Sequence, residues 1–359
     1  MKAIVYTQYG SPDVLQYTTA AKPTPKDNEV LIRVSAASLN IADSFHIRGI
    51  PFMIRLMTGG LRRPRYSIPG SDMAGVVEAV GSKVTRFKPG DAVLGDLSGS
   101  GLGAFAEYVC AKETLLAFKP ASVSFEDAAA VPMAAVTALQ GLRDKGHIQP
   151  GQKVAINGAS GGVGTFAVQI AKALGAEVTA ICSTAKIDLM RSLGADHVID
   201  YTQEDFTRGS EKYDLIVSAN GYHPLRHYLR ALRPGGRYVN TGGYGKQIAE
   251  ALLLGPLLSL FRRKKLMALM AQPKASDLDF VAGLLATGKA KPVIDRCYPL
   301  SETADAVRYL EQKHTRGKIV ISMEGSANLS MVRVWRRCLH ASARGRYALW
   351  TPILCCVED

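Results

Sequence analysis

The six residues Ala159-Ser160-Gly161-Gly162-Val163-Gly164 are the stretch of this sequence best suited to chemistry. They stand between a strand-like run, Lys153-Val154-Ala155-Ile156-Asn157, and a helical run from Gly164 to Leu174 that Gly175 ends. A glycine at 161 lets the backbone approach a pyrophosphate, and one at 164 lets the helix pack closely on the strand. The start of such a helix offers free N–H groups and a positive dipole end to phosphate. A lone glycine motif says little. With strand, turn, helix and following strand in order, this one predicts a bound dinucleotide rather than a turn that merely packs a βαβ unit. The usual first glycine of the motif is Ala159 here.

The next strand, Val178 to Cys182, bears on which dinucleotide is held. A site for NAD usually carries an Asp or Glu there to grip the ribose 2′-hydroxyl. Here the chain continues Ser183-Thr184-Ala185-Lys186, with no acid. A hydroxyl and an ammonium suit a 2′-phosphate, so the expected cofactor is NADP. Taken alone, Lys186 also reads as a surface lysine opening a helix.

These residues need elements to hold them. Up to about residue 120 the chain has the texture of a β-barrel or sandwich: Val30-Leu31-Ile32-Arg33-Val34 is β-rich, and Pro89-Gly90-Asp91 is a turn before an apolar run. Between Ile50 and Pro69 the pattern lapses into Pro, Gly and Arg, a long loop of the functional kind. From Phe125 helices alternate with short apolar strands. Helices are expected over 126–142, 186–193 and 224–232, and strands over 197–200, 214–218 and 236–241. That alternation implies an α/β fold with a doubly wound parallel sheet. Further on come a helix over 276–287, a strand over 291–298, a helix over 302–310 and the strand-like Gly317-Lys318-Ile319-Val320-Ile321-Ser322.

Composition sets bounds. The chain has 359 residues, of which 47% are hydrophobic and 21% charged, enough for two domains with a real core. The net charge of +13 fits a solvated basic surface or an anionic ligand. No zinc finger, RNA-recognition signature or basic zipper is present, so nucleic acid is not expected. Six cysteines without a CxxC pair, and an N-terminus that runs straight into a strand pattern, fit a cytoplasmic setting. The longest apolar run, 248–261, is too short to span a bilayer, which takes about 20 residues. Arg262-Arg263-Lys264-Lys265 follows it. The pair reads as a buried helix with a basic C-terminus, or as a segment lying on a membrane surface. Residues 325–359 hold both tryptophans and no clear periodicity, and form a tail of unassigned role.

The chain resembles the medium-chain dehydrogenase/reductase superfamily, in its zinc-independent quinone oxidoreductase-like branch. Four ordered segments within residues 1–323 carry the resemblance: Gly70 to Gly81, Phe87 to Val93, Ala159 to Gly164 and Leu193 to Tyr201. The resemblance implies a GroES-like β-barrel domain over 1–124, a Rossmann domain over 125–272, a return segment over 273–324 that completes the first domain, and a homodimer. It also implies residue roles. Asn40 and Asp43 match an N-x-x-D at the cleft near the nicotinamide ribose and are the catalytic candidates, together with Tyr66. Asn40 could instead be a helix cap, and Asp43 a buried orienting carboxylate. Tyr66 and Tyr244 are candidate hydrogen-bond donors to a carbonyl. Thr137 would face the nicotinamide. Gly162 and Val163 would contact the pyrophosphate, flanked by Gly161 and Gly164. Ser183 and Lys186 would hold the 2′-phosphate, and Tyr201 would lie beside the adenosine unless it simply packs. Thr241 and Gly242 fall at the C-terminal end of a sheet strand, where such sheets bind ligands.

Zinc-using relatives place Cys and His-Glu where this chain has Asn40 and Ser71-Asp72. Asp43 and His46 are two candidate ligands without a third, so no catalytic zinc is expected. Hydrogen bonds must then polarise a carbonyl, which favours acceptors needing little activation. The expected activity is NADPH-dependent reduction of a quinone or an α,β-unsaturated carbonyl, the substrate being small and hydrophobic. No general acid is assigned. Two alternatives stay open. One is an enoyl-thioester reductase, with Arg55, Arg62, Arg63 and Arg65 offering a basic groove. The other is an NADPH-binding protein without turnover.

Overall fold

The computed structural model describes residues 1–57, 60–243, 245–260, 263–313 and 315–323. The tail 325–359 and Tyr244 lie outside the described residues.

The N-terminal part is β-rich. Its strands are β1 (Lys2–Val5), β2 (Gln16–Thr19), β3 (Glu29–Leu39), β4 (Asp72–Val80), β5 (Ala92–Asp96), β6 (Tyr108–Lys112) and β7 (Leu116–Phe118). Two helices interrupt them between β3 and β4: α1 (Ile41–Arg48) and α2 (Phe52–Met57). Part of the expected long loop 50–69 is therefore helical. β1 and β2 pair with each other, and β3, β4, β5 and β7 form an antiparallel run with β6 on β3. Val30, Ile32 and Val34 of β3 and Met73 and Val77 of β4 face one buried core. Alternate residues on one face are what a sheet covered on that side requires.

The expected helix over 126–142 is three pieces: α3 (Phe125–Ala129), α4 (Pro132–Gln140) and a wide turn over 141–145. Pro132 cannot continue a helix, because it lacks an N–H, and takes the first position of a new one instead. There follow β8 (Lys153–Asn157), α5 (Gly162–Ala173), β9 (Glu177–Cys182), α6 (Ile187–Ser192), β10 (His197–Asp200), β11 (Tyr213–Ser218), α7 (Leu225–Ala231), β12 (Leu232–Asn240), α8 (Gly245–Leu253), α9 (Gly255–Leu260) and β13 (Lys265–Ala268). The six strands lie in the order β10-β9-β8-β11-β12-β13, all parallel. This is the doubly wound order, with its reversal between β8 and β11. Val154, Ile156, Val178, Leu215 and Val217 face one core, and their neighbours Ala155, Ile181 and Ile216 face another. Helices therefore cover both faces, which explains why these strands read as continuous apolar runs.

The run 248–261 departs from its reading as one buried helix. It breaks at Leu254, between α8 and α9, and Leu252, Leu253 and Leu254 are exposed. Lys264 does not cap that helix. Its Nζ donates to the carbonyls of Leu229 and Leu232, 2.7 Å each, at the end of α7. Among the described residues no helix is long and apolar enough to cross a membrane.

The chain then returns. After α10 (Ala275–Ala286) come β14 (Ile294–Pro299), α11 (Thr303–Glu311) and β15 (Lys318–Ser322). β15 lies antiparallel to β3, with Ile319 opposite Leu39 and Ser322 opposite Ala36, so the last strand completes the first sheet.

Candidate active site

The glycine turn sits at the end of β8, in the central crevice of the parallel sheet. Helix α5 begins at Gly162, two residues earlier than expected, with Gly161 as its N-cap. The first-turn N–H groups of an α-helix have no acceptor within it, so they point out at the crevice. Gly164 is there for close packing: a methyl group would meet the Gly158 carbonyl oxygen at 2.2 Å and Ala159 backbone at 2.7 Å. Gly161 differs, since its nearest neighbour would be 3.7 Å away, which leaves its face open for a ligand. These residues fit a dinucleotide pyrophosphate.

A second segment lies against this turn. Gly317 bridges to Gly161, and its N–H donates to the Ser160 carbonyl at 3.0 Å. Gly317 has φ of +88°, and any side chain there would strike the Val293 carbonyl, so only glycine allows this approach. Lys318 comes next. Its Cδ lies 3.0 Å from where a Gly162 methyl would stand.

The Lys318 ammonium enters a buried polar cluster. It donates to Asn40 Oδ1 at 2.5 Å and to Asp72 Oδ2 at 3.2 Å, and the Lys318 and Asp72 side chains are 3% and 0% exposed. Asp72 is the hub. It also accepts from Asn40 Nδ2 (3.0 Å), Ser38 Oγ (3.3 Å) and the Met133 N–H (3.0 Å), the last anchoring the start of α4. Asn40 stands at the N-cap of α1, and its backbone N–H donates to Asp43 Oδ2 at 2.8 Å. Its side chain serves Asp72 and Lys318, so Asn40 is both a cap residue and part of the cluster. Asp43 is fully buried, and Ser71 Oγ donates to its other oxygen at 2.8 Å. With both oxygens taken, it fits the orienting place better than one against substrate. Burial pushes the Asp43 carboxyl up to about 6, with Asp72 adding to the rise and Lys318 opposing it.

Asp96 lies directly across from Asp72 in the β4–β5 ladder. Burial, then the Asp72 charge, pushes its carboxyl up to about 7. A folded-state value above the unfolded one means that the folded protein holds the proton more tightly. The stabilisation is complete below the unfolded value near 3.8 and is lost as pH rises through about 7. Asp96→Asn should remove this contribution, the Asn oxygen still accepting from the Ser98 N–H. Relative to the parent, the variant should gain roughly 1–3 kcal/mol between pH 4 and 8. Urea unfolding at both pH values measures this, and an unchanged difference would contradict the assignment.

Other expected residues fall along the crevice. Thr137 is nearly buried on α4. One turn on, Gly141 packs against Thr241 at the end of β12, where Thr241 N–H donates to the Ser218 carbonyl. Gly242 backs onto the Ala219 carbonyl. At the far end, Ser183 caps the short turn that holds Lys186, and Lys186 Nζ donates to the Thr315 carbonyl at 3.1 Å. Burial, then the nearby Arg316 charge, holds the Lys186 ammonium below the usual lysine range. Val163 is in the first turn of α5 and packs on the core. Tyr201 is exposed beside Cys182, to whose carbonyl its N–H donates. Tyr66 lies in the loop before β4. Its ring packs on Gly101, in a small pocket with Tyr6, Tyr9, His46 and Leu102. Arg55 is engaged, its Nε donating to the Gly49 carbonyl and its guanidinium lying over Tyr9. A surface groove of about 540 Å³ is lined by Lys172, Gly194, Lys289 and Lys291. It contains none of these site residues, and nothing in it suggests catalysis.

Three residues of this site escaped the sequence reading: Lys318, Arg316 and the hub role of Asp72. The Arg-Gly-Lys run before a β-branched strand was visible, but its partners are far away in sequence.

Residues 26–121 match the family described as alcohol dehydrogenase GroES-like domain, and residues 193–321 the family described as zinc-binding dehydrogenase. A quinone-oxidoreductase homolog, chloroplastic, from Spinacia oleracea is 38% identical over 89% of this chain and 98% of its own. An NADPH-dependent alkenal/one oxidoreductase from Arabidopsis thaliana is 35% identical over 89% of this chain and 79% of its own. The solved quinone oxidoreductase from Coxiella burnetii superposes with a TM-score of 0.80 at 31% identity, covering 90% and 99% of the two chains. This chain belongs to the medium-chain dehydrogenase/reductase superfamily, in its quinone oxidoreductase-like branch. It is a nicotinamide-dependent oxidoreductase by that membership.

Proposed function

We propose that the chain is an NADPH-dependent reductase of quinones or α,β-unsaturated carbonyls that works without zinc. The observation that carries this is the Lys318–Asp72–Asn40 cluster beside Gly162. A divalent cation on Asp72 would sit against an ammonium 3.2 Å from the same oxygen, and Asn40 and Ser71 are poor zinc ligands. The donor set does not fit zinc, whatever the name of the matching family. When bound, the dinucleotide supplies a hydride. The chain's own residues hold and orient. Gly161 to Gly164 take the pyrophosphate, and Asn40, fixed by Lys318 and Asp72, takes the nicotinamide ribose. Thr137, Thr241 and Gly242 line the crevice. Hydrogen bonds then polarise the acceptor and solvent delivers the proton, which suits quinones and enones better than saturated alcohols.

The cofactor's phosphate end rests on Lys186 and Arg316. Lys186→Ala should weaken NADPH binding tenfold or more while leaving NADH within about twofold, as losing one phosphate contact does. Arg316→Ala should act in the same direction. Equal losses for both cofactors would remove the 2′-phosphate assignment. The reaction itself is tested by NADPH oxidation against quinones, enones and enoyl thioesters, with an NADH control. Turnover of the first two classes is expected. Turnover of thioesters alone, or tight NADPH binding with no turnover, would overturn the reading. The homodimer and the domain division at 124, 272 and 324 belong to the same proposal.

A further inference from the structure

Away from the crevice cluster, three side chains converge without satisfying one another. They are Asp205 in the loop after β10, His223 in the loop after β11, and His227 in the first turn of α7. One donor atom from each lies within 4.8 Å of the others. His223 Nδ1 stands 3.9 Å from Asp205 Oδ1, too long for a hydrogen bond. His227 Nδ1 is buried with no hydrogen-bond partner. We propose that Asp205, His223 and His227 form a divalent transition-metal site, with zinc as the best fit.

The surroundings are those of a built site. The Asp205 carboxylate is held by Thr207, whose N–H (2.9 Å) and Oγ1 (2.6 Å) both donate to Oδ1. Thr207 is held in turn by Arg230, which donates to its carbonyl at 2.7 Å. Such second contacts fix a ligand's orientation. Phe206 and Tyr228 stand edge-on to the His223 ring, with centroids 5.4 and 5.7 Å away, and limit its rotation. Arg208 reaches Asp205 Oδ2 at 3.3 Å, but it is 73% exposed and free to swing into solvent.

Two imidazoles and one carboxylate select zinc or a neighbouring transition metal. Calcium and magnesium take oxygen ligands. Zinc bonds of about 2.0–2.1 Å require the donors to close in by roughly an ångström, within reach of side-chain rotation. A fourth position stays open to water. The ion would clip the loop after β10 to the start of α7. This inference stands apart from the proposed reaction, because no residue is shared.

The test uses the full chain after chelator treatment and dialysis, titrated with Co(II) and with Zn(II). One equivalent should bind. Co(II) should give the intense visible band of four-coordinate geometry, and Zn(II) should raise the melting temperature by several degrees. His223→Ala, His227→Gln and Asp205→Ala should each lose the band. His197→Ala, at the exposed His197–Glu177 pair, should keep it. NADPH oxidation by the metal-free chain should match that of the zinc-loaded one. Absence of stoichiometric binding in the parent overturns the proposal whether or not the variants fold. Binding that survives His223→Ala/His227→Gln together assigns the metal to cysteines or elsewhere and overturns it equally.

Discussion

Lys318→Met should destabilise the protein by about 3–5 kcal/mol, the usual cost of removing one partner of a buried ion pair. Asp72 would be left with no exposure and no cation, facing Asp43 and Asp96 nearby. Part of the cost is offset if one of these carboxyls takes up a proton, so the loss should shrink at low pH. Lys318→Met combined with Asp72→Asn should recover a large part of the stability, because the orphaned charge is gone. Denaturant unfolding of the two single variants and the double variant measures this. A single variant within about 1 kcal/mol of the parent would refute the buried-pair description. Activity follows a different pattern. The double variant should stay slow even where it is stable, because Asn40 has lost the ammonium that holds its side-chain oxygen.

Gly164→Ala should cost about 3 kcal/mol, at the upper end for overpacking. The added methyl meets backbone atoms of Gly158 and Ala159, which cannot rotate away as a side chain tip can. Helix α5 must then lift from β8, and the pyrophosphate site is distorted with it. Gly161→Ala is the informative contrast. Its methyl has only one neighbour, at 3.7 Å, so folding should change by less than about 0.5 kcal/mol. Dinucleotide affinity should still fall tenfold or more, because the methyl projects where the backbone must approach phosphate. Melting curves with and without NADPH separate the two effects. Similar folding losses in both variants would show that Gly161 is also a packing glycine.

The parallel sheet was legible in the sequence because its strands are buried on both faces and its turns carry glycine. β8 and β10 fall where their apolar runs predicted. The glycine turn between β8 and α5 was legible for the same local reason. Boundaries set by neighbours were not. The helix expected over 126–142 looked continuous in its alanines, and only Pro132 marked the break. The run 248–261 looked buried by hydropathy, yet three of its leucines are exposed. The cluster around Asp72 was half legible. Asn40 and Asp43 share a helix start, so their spacing shows. Lys318 meets Asp72 and Asn40 across 246 and 278 positions of sequence, through the pairing of β15 with β3. No local pattern encodes such a meeting. The packing of Tyr66 on Gly101 joins two separate loops and has no local pattern either.

Residues 315–318 run from the Lys186 end of the dinucleotide turn to its Asn40 end. They belong by sequence to the strand that closes the other sheet. On the proposed cofactor placement, the nucleotide unit would not be a detachable module: residues 315–318 would finish its binding surface. A chimera that exchanges 125–272 alone between relatives would pair one protein's turn with another's closing strand. Cofactor preference should travel with 315–318 as much as with Ser183 and Lys186, and engineering of that preference should move the two stretches together.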